Sequence, residues 1–520
     1  MTNDRIHRQA LGDLLRRTAR RVPERPAIIC GEVRWTYAQF DRLCNRLAHG
    51  LAGQGVAFGD RVAILSRNSH AFAAFRYALA RLGAVLVPIN FMLTAQEAGF
   101  ILRHSGASRL AVGPDLVELG KAAAADSEVQ QLFWLPGEDA TKPPADLIGF
   151  DDLLADNDDE PQVPVDGQTL LQIIYTSGTE SAPKGAMLSH QAVIWQYAAC
   201  LVDASIAESD LMLHALPLYH CAQLDVFLGP AIYVGATNVI THRPTAENIL
   251  HLLQTHQITS FFAPPSIWIA MMRSPDFDPA TLGRLSKGYY GASIMPVGVL
   301  RELVAHLPAL QLWNLYGQTE IAPLATVLKP HEQLHFAGSA GRATLNVETR
   351  VVNEDMQDVQ PGEVGEIVHR SPQLLTGYYN DPDRTAEAFR GDWFHSGDLA
   401  TIDAQGYITV VDRKKDMIKT GGENVASRDV EEAIYTCEGI SEVAVIGLPH
   451  AYWIEAVTAI VVLKPGATIT EDDIIKHCRS RLATFKVPKQ VFIAENLPKN
   501  PSGKILKRDL RTIYAERTVG

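Results

Sequence analysis

The sequence predicts an α/β protein in which a large N-terminal domain, built on βα-type sheets with a β-barrel-like patch, precedes a small α+β C-terminal domain. Its 520 residues exceed what a single hydrophobic core usually contains. Residues 22–135 alternate short apolar runs with helical patterns, which is typical of mostly parallel sheets. After about Leu334 the apolar repeats shorten and glycine-rich turns appear, which favours antiparallel strands.

The first part of the chain supplies its elements in a simple order. Leu11, Leu14 and Leu15 share one face of a helix, which we expect to pack on the body of the protein. Residues 61–90 predict a strand, a helix and a second strand, in the pattern of a βα unit. The acidic, proline-rich residues 136–168 predict a surface connection with little regular structure.

The remaining chain resumes this alternation and then changes character. Residues 170–175 predict a buried strand, and residues 238–265 predict a strand, a helix and another strand. Residues 341–370 have the short repeats of an antiparallel patch. About the last hundred residues predict a compact α+β unit, in which Ser427 caps the N-terminus of a helix.

The composition argues against several classes of protein. The net charge of −12 disfavours a nucleic-acid partner. We find neither a run of about 18 apolar residues nor a signal-peptide core, so we expect no integral membrane association, with peripheral contact left open. The six cysteines are scattered without a CxxC pair, which argues against a zinc site or disulfide framework and favours a cytoplasmic location.

One polar stretch, residues 175–190, has the residues of a phosphate-binding loop: YTSGTESAPKGAMLSH. The strand before it leads into hydroxyls and backbone N–H groups that a turn can direct at one point. Gly178 and Gly185 permit close backbone approach, and Lys184 supplies a positive charge. The lysine precedes the second glycine, so the order differs from the usual nucleotide P-loop. Taken alone, such a stretch is also typical of a flexible linker.

Six segments in a fixed order resemble the adenylate-forming superfamily, which contains acyl-CoA synthetases, firefly-type luciferases and peptide-synthetase adenylation domains. They are residues 175–190 and, in order, LHALPLYH (213–220), NLYGQTE (314–320), WFHSGDLA (393–400), DRKKDMIKTGGENV (412–425) and PKNPSGK (498–504). Among these families the chain most resembles bacterial fatty-acyl-CoA synthetases. It departs from the pattern at residues 180–182, where Glu180 would face a phosphate chain unless it points to solvent.

The resemblance implies a two-step reaction that uses ATP, Mg²⁺ and coenzyme A. A carboxylate attacks the α-phosphorus of ATP and releases pyrophosphate, and the thiol of coenzyme A then displaces AMP from the acyl carbon. It also implies a domain of residues 1–411, a hinge at 412–415 centred on Lys415, and a mobile domain of residues 416–520 that serves the two steps in turn.

The resemblance further implies roles for individual residues. Those expected to act in catalysis are Lys504, Lys419, Glu320 (which would also hold the metal) and Thr176. Those expected to bind the nucleotide are Thr176, Ser177, Gly178, Thr179, Lys184, Gly291, Ala292, Tyr316, Gly317, Thr319, Asp398 and Arg413. Gly421 and Gly422 are expected on the coenzyme A side, and His220, Gln223, Trp268, Tyr289 and Tyr290 in the acyl pocket.

The segments expected around the acyl group are apolar and aromatic. They contain no lysine or arginine to pair a second carboxylate, and each buried methylene contributes about 0.8 kcal/mol to binding. We therefore expect a medium- or long-chain fatty acid, with an aromatic acid as the alternative. The expected partners are thus a small-molecule carboxylic acid, ATP and coenzyme A. The sequence does not determine the oligomeric state, and a homodimer is one possibility.

Several of these residues also fit simpler interpretations. Asp398 suits an ordinary turn, His220 a packed core histidine, and Lys504 a solvated basic tail. An alternative from another functional class is a regulator that binds an adenine nucleotide without catalysis. The presence of both Lys504 and Lys419 argues against this alternative.

Overall fold

The computed structural model describes residues 4–515, apart from residues 140, 177–182, 292, 294, 415, 422, 451, 501, 502 and 504. Its strands, in chain order, are β1 (Pro26–Cys30), β2 (Val33–Thr36), β3 (Arg61–Leu65), β4 (Val85–Pro88), β5 (Arg109–Val112), β6 (Gln131–Trp134), β7 (Ile148–Gly149), β8 (Leu170–Thr176), β9 (Lys184–Ser189), β10 (Leu211–His214), β11 (Thr237–Ile240), β12 (Ser260–Phe262), β13 (Lys287–Gly291), β14 (Gln311–Gly317), β15 (Leu324–Leu328), β16 (Arg342–Ala343), β17 (Glu348–Val352), β18 (Gly365–Arg370), β19 (Gly377–Tyr378), β20 (Phe389–Arg390), β21 (Trp393–Ile402), β22 (Ile408–Arg413), β23 (Ile418–Thr420), β24 (Glu423–Val425), β25 (Ile440–His450), β26 (Ile454–Leu463) and β27 (Gln490–Ile493).

The helices follow the same numbering. They are α1 (Asp4–His7), α2 (Leu11–Arg21), α3 (Tyr37–Gly53), α4 (His70–Leu82), α5 (Ala95–Ser105), α6 (Val117–Ala124), α7 (His190–Asp203), α8 (Gly229–Val234), α9 (Ala246–Thr255), α10 (Pro265–Arg273), α11 (Val297–His306), α12 (Pro382–Ala388), α13 (Ser427–Tyr435), α14 (Glu471–Arg479) and α15 (Lys507–Ala515). A π-helix, a rare conformation that is often found at functional sites, spans Ala222–Leu228. Within the described residues, no helix combines the length and apolar character needed to cross a membrane.

Two large sheets form the N-terminal part. The first has the order β16-β15-β14-β13-β12-β10-β11-β1-β2, parallel from β14 to β1 and antiparallel at both edges. The second has the order β19-β9-β8-β4-β3-β5-β6-β7, with β8, β9 and β19 paired antiparallel. In parallel sheets ligands bind at the carboxyl ends of the strands. Thr176, Gly291 and Gly317 end β8, β13 and β14 at such edges.

Two smaller sheets complete the fold. The third has the order β17-β18-β21-β20, with β22 paired to β21, and all its pairs are antiparallel. The fourth contains only strands from Ile418 onward, in the order β24-β23-β26-β25 with β27 beside β26. This architecture confirms the predicted α/β class, with its antiparallel patch and its α+β C-terminal part.

The N-terminal helix lies on the body of the protein, as predicted. Leu11, Leu14 and Leu15 are all fully buried in the core that α2 shares with α3 and α4. Residues 150–166 run across these helices and are better anchored than the sequence suggested. Asn45 donates to the carbonyl of Asp158 at 2.8 Å, and an ion-pair cluster links Glu160 to the arginines of the N-terminal segment.

The start of α13 differs from the prediction by one residue. The helix begins at Ser427, and Ala426 occupies the capping position. Ser427 instead donates to the Asp412 carboxylate, through its backbone N–H at 2.8 Å and its hydroxyl at 2.7 Å. The carboxylate that satisfies this helix end comes from β22, so it was not visible in the local sequence.

Candidate active site

A buried carboxylate lies where a ribose contact was predicted. Asp398 is 4% exposed, and its strand β21 pairs with β22 so that it faces Arg413 in register. Tyr316 Oη donates to Asp398 Oδ2 at 2.7 Å, and Arg413 Nε lies 3.1 Å from Oδ1. Burial raises the pKa of Tyr316, which keeps its hydroxyl protonated as a donor. Each carboxylate oxygen accepts more than one hydrogen bond, so Asp398 retains capacity for ligand hydroxyls.

Tyr378 connects the two charges expected around the phosphates. Its hydroxyl donates to Glu320 Oε1 at 3.0 Å, and Lys184 Nζ lies 5.2 Å from the centroid of its ring, within cation–π range. Burial and the neighbouring Glu320 raise the pKa of Tyr378, so the hydroxyl remains a donor. Lysine, tyrosine and glutamate therefore form one unit, which we call the Lys184–Tyr378–Glu320 bridge.

This bridge depends on a strand pairing that the sequence did not reveal. β19 pairs with β9, which places Tyr378 opposite Ala186 near Lys184. The two-residue strand has no alternating pattern of its own, so Tyr378 escaped the sequence analysis. The remaining signal was its position in a Gly-Tyr-Tyr run after a turn, which is too common to single it out.

The turn that carries Glu320 also meets the segment expected to hold the acyl group. Glu320 is 8% exposed and Thr319 is 7% exposed. Thr319 Oγ1 lies 3.3 Å from the sulfur of Cys221, and the neighbouring His220 accepts the backbone N–H of Ala222 through Nδ1. The phosphate side and the acyl side of the predicted site are thus in direct contact.

The strand ends at this edge require glycine. A Cβ on Gly291 would lie 2.4 Å from the carbonyl oxygen of Leu315, and one on Gly317 would lie 1.7 Å from that of Pro323. Both are closer than real contacts allow, so the neighbouring backbone approaches these strand ends as only glycine permits. Thr176 ends β8 in register with Lys184. The predicted contacts Ser177, Gly178, Thr179 and Ala292 lie outside the described residues.

The aromatic residues assigned to the acyl pocket do not lie together. Trp268, Tyr289 and Tyr290 are at most 2% exposed. Successive strand residues point to opposite faces, so Tyr289 packs on Phe227 of the π-helix while Tyr290 packs in the cluster that contains Trp268. Trp268 and Tyr290 therefore lie across the sheet from the π-helix that carries Gln223. This geometry contradicts the prediction that all of them line one pocket.

Gln223 belongs to a buried hydrogen-bonded chain of side chains. His214 Nε2 lies 2.8 Å from Asn238 Oδ1, and His214 Nδ1 lies 2.7 Å from the amide nitrogen of Gln223. All three side chains are at most 1% exposed. Burial lowers the pKa of His214 to about 4, so the ring is neutral near pH 7.

Of the residues predicted to act in the C-terminal part, some have described contacts and others lie outside the described residues. Lys419 is exposed, and its backbone N–H donates to Glu455 at 2.7 Å. Gly421 has a φ of +59° and donates to the carbonyl of Trp453 at 2.8 Å. Gly503, beside Lys504, accepts a hydrogen bond of 3.2 Å from the Ser266 hydroxyl of the N-terminal part. Gly422, Lys415 and Lys504 themselves lie outside the described residues.

Buried neutral histidines predict an acid-sensitive fold. Burial lowers the pKa of His70 and His214 to about 4, and that of His190 and His369 to about 3. Their unfolded value is about 6.5, so below that pH the unfolded chain binds protons that the folded chain excludes. We expect the free energy of unfolding to be highest above pH 6.5 and to fall by about 2 kcal/mol per histidine by pH 5.

Urea unfolding at half-unit steps from pH 7.5 to 5.0 measures this effect. The acidic groups of lowered pKa titrate mostly below that window, so they contribute little within it. A midpoint that stays constant between pH 7.5 and 5.0 would contradict the prediction.

Comparison with known proteins agrees with the geometry. The family model described as AMP-binding enzyme matches residues 15–379, and the model of the AMP-binding enzyme C-terminal domain matches residues 429–504. The chain is 36% identical over 506 residues to a feruloyl-CoA synthase of Amycolatopsis sp, covering 97% of this chain and 99% of that protein.

Two further relatives are named for other substrates. The long-chain-fatty-acid–CoA ligase FadD13 of Mycobacterium tuberculosis is 37% identical over 97% of this chain and 98% of its own length. An indoleacetate–CoA ligase of Aromatoleum aromaticum is 35% identical over 96% of both chains.

Two crystal structures of one protein resemble this chain to different degrees. ATP-bound MatB of Rhodopseudomonas palustris superposes with a TM-score of 0.88, at 28% identity over 98% of this chain and 100% of that chain. Apo MatB has the same identity and the same coverage but a TM-score of 0.78. Because the sequence similarity is equal, the difference between the scores comes from conformation.

Proposed function

Since the chain belongs to the AMP-binding enzyme family and is an AMP-forming acid–thiol ligase, we propose that it activates a largely apolar carboxylic acid as its acyl-adenylate and transfers the acyl group to coenzyme A. The observation that carries the proposal is the Lys184–Tyr378–Glu320 bridge at the end of β8, beside the buried Asp398. The bridge supplies a cation and an anion for the phosphates, and Asp398 supplies an acceptor for the ribose hydroxyls.

In this proposal the chain's own residues bind and orient ATP. Asp398, held by Tyr316 and Arg413, accepts the ribose hydroxyls. Lys184 and the hydroxyl of Thr176 contact the phosphates, where the lysine offsets the charge that develops during displacement. The acid carbon then carries AMP as its leaving group, which a thiolate displaces far more easily than oxide.

Magnesium fits the donor set around Glu320. No group of three or more His, Cys, Asp or Glu side chains suited to a metal occurs among the described residues. Glu320 shares one carboxylate oxygen with Tyr378, and the other has no described donor. Mg²⁺ is usually held by one or two carboxylates together with water and substrate phosphates. When bound, it would neutralise charge on the phosphate oxygens.

The arrangement of the C-terminal part supports the adenylate-forming step. The greater similarity to ATP-bound than to apo MatB is one support. The hydrogen bond from Ser266 to Gly503 is another, because it holds the residue before Lys504 against the N-terminal part. We propose that Lys504 assists adenylate formation here, and that rotation about residues 412–415 later presents Lys419 and Gly421 for thioester formation.

The identity of the acid has two candidates. A medium- or long-chain fatty acid agrees with the similarity to FadD13, and an aryl acid agrees with the similarity to the feruloyl- and indoleacetate-activating enzymes. A panel of acids from two to eighteen carbons plus aryl acids, assayed for AMP formation with ATP, Mg²⁺ and coenzyme A, tests the proposal. We expect AMP from some members; binding of ATP with no AMP from any acid would favour a non-catalytic regulator.

Gly503 gives a prediction specific to the first step. It has a φ of +79°, and a Cβ there would lie 2.5 Å from Pro264 Cγ. We expect Gly503→Ala to slow pyrophosphate release by about 10-fold, because strain of 1–3 kcal/mol opposes this arrangement. Transfer of the acyl group from supplied acyl-adenylate to coenzyme A should stay near the wild-type rate.

Gly466 offers a matched control for this variant. It also has a φ of +79°, but a Cβ there meets nothing within 4 Å. Gly466→Ala should therefore leave both half-reactions near wild type. Equal losses in the two variants, or equal losses of both half-reactions in Gly503→Ala, would count against the assignment.

A further inference from the structure

The carbonyl oxygen of Gln223 is a buried acceptor without a donor. The side chain is 1% exposed, and none of the described residues donates to Oε1. Leaving a buried polar group unpaired costs about 1–3 kcal/mol, so native proteins rarely retain one without a reason. A substrate that brings its own donor would remove this cost.

Hydrogen bonds fix the direction of this oxygen. The amide nitrogen of Asn238 donates to the carbonyls of Ala27 and Ala236, so Asn238 Oδ1 must be an acceptor. His214 therefore donates through Nε2, and its neutral ring accepts through Nδ1. The amide nitrogen of Gln223 must then be the donor to Nδ1. Gln223 Oε1 is therefore the last atom in this series of hydrogen bonds. The side-chain amide cannot flip by 180° without breaking the hydrogen bond to His214 Nδ1.

Gln223 is adjacent in sequence to residues of the predicted site. Gln223 is three residues after His220, in the π-helix that follows the contact between Cys221 and Thr319. His214 ends β10, at the carboxyl edge of the first sheet. Through the registers of β10, β12 and β13, His214 lies at the same height in the sheet as Tyr289. Tyr289 precedes Gly291 by two residues and shares its face of the sheet. Two strand residues correspond to about 7 Å, within the length of an acyl group.

We propose that Gln223 Oε1 accepts a hydrogen bond from an O–H or N–H group on the body of the acid, so that acids carrying such a donor are preferred over otherwise identical acids that lack it. The inference rests on the proposed function and deepens it, because it selects hydroxylated or N–H-bearing acids within the fatty and aryl classes. A site built to pair a substrate hydroxyl discriminates strongly against the analogue without it.

Matched pairs of acids test the proposal in the wild-type enzyme. We would compare 4-hydroxycinnamate with cinnamate, and 12-hydroxydodecanoate with dodecanoate, by kcat/KM for AMP formation with coenzyme A. In at least one pair we expect the hydroxylated acid to be used about 10-fold better or more. Equal use in both pairs would overturn the inference, whereas the absence of AMP from every acid would contradict the proposed function instead.

Gln223→Met separates a direct contact from a general effect. Methionine has a similar volume but no acceptor carbonyl, so we expect the hydroxyl preference to fall to about one while KM for ATP stays unchanged. Gln223→Leu should lose the hydroxyl preference in the same way, and it replaces Gln223→Met in the test if that variant folds poorly. Gln333→Met, at a buried glutamine whose two polar atoms are both paired, should keep the preference. A preference that survives in both Gln223 variants would overturn the proposal.

Discussion

Glu320→Gln is expected to form acyl-adenylate about 10²–10³ times more slowly than the wild-type enzyme. The glutamine retains an oxygen that can accept from Tyr378, 3.0 Å away in the native structure, so the turn should keep its shape. It loses the negative charge that would hold Mg²⁺ on the phosphates. Pyrophosphate release measured against Mg²⁺ concentration should therefore show a higher half-saturating concentration as well as a lower rate.

Tyr378→Phe is the matched control for that variant. It removes the hydroxyl that orients Glu320 but keeps the charge and the ring beside Lys184. Removing one hydrogen bond to a charged group costs about 1.5–3 kcal/mol at most, so the loss of rate should be smaller than in Glu320→Gln. Equal rates in Glu320→Gln and the wild type, at limiting Mg²⁺, would remove Glu320 from the metal site.

Asp225→Asn is expected to destabilise the protein by about 3–5 kcal/mol. Asp225 is fully buried and pairs with Arg76, which is 1% exposed. Gln172 of β8 joins both partners, accepting from Arg76 at 2.6 Å and donating to Asp225 at 2.8 Å. The substitution leaves the Arg76 charge buried without its counterion, which is far more unfavourable than the loss of an exposed pair. Urea unfolding of the two proteins at pH 7.5 measures the difference.

Two further variants show whether the charge itself is responsible. Arg76→Met combined with Asp225→Leu removes both charges and should recover part of the lost stability. Asp139→Asn breaks the exposed pair with Arg243 and should change stability by less than about 1 kcal/mol. If Asp225→Asn were no worse than Asp139→Asn, the buried pair would not hold these elements together.

The sequence predicted the fold class because it depends on local pattern, whereas Asp398 as the ribose acid rests on the resemblance and stays a prediction. Alternating apolar runs identify βα units, whereas the partners of Asp398 include Tyr316, which lies 82 residues away in sequence. Tyr378 and the Arg76–Asp225 pair depend on contacts between distant segments, which carry no local signal. The prediction that Tyr290 and Gln223 line the same pocket was wrong, because successive side chains of a strand point to opposite faces of the sheet. Tyr289 and Tyr290 therefore cannot both face the π-helix.

The hydrogen bonds between Asp412 and Ser427 have a consequence for the timing of the reaction. The backbone of Asp412 is part of β22, beside β21, while its side chain accepts hydrogen bonds from Ser427 at the start of α13. The half-buried Lys507 also contacts Ser427 and Glu431 there. A rotation about residues 412–415, as proposed, that turns α13 relative to β22 would break these hydrogen bonds before Lys419 could reach the nucleotide. The strength of these two hydrogen bonds would then contribute to the barrier that separates adenylate formation from thioester formation.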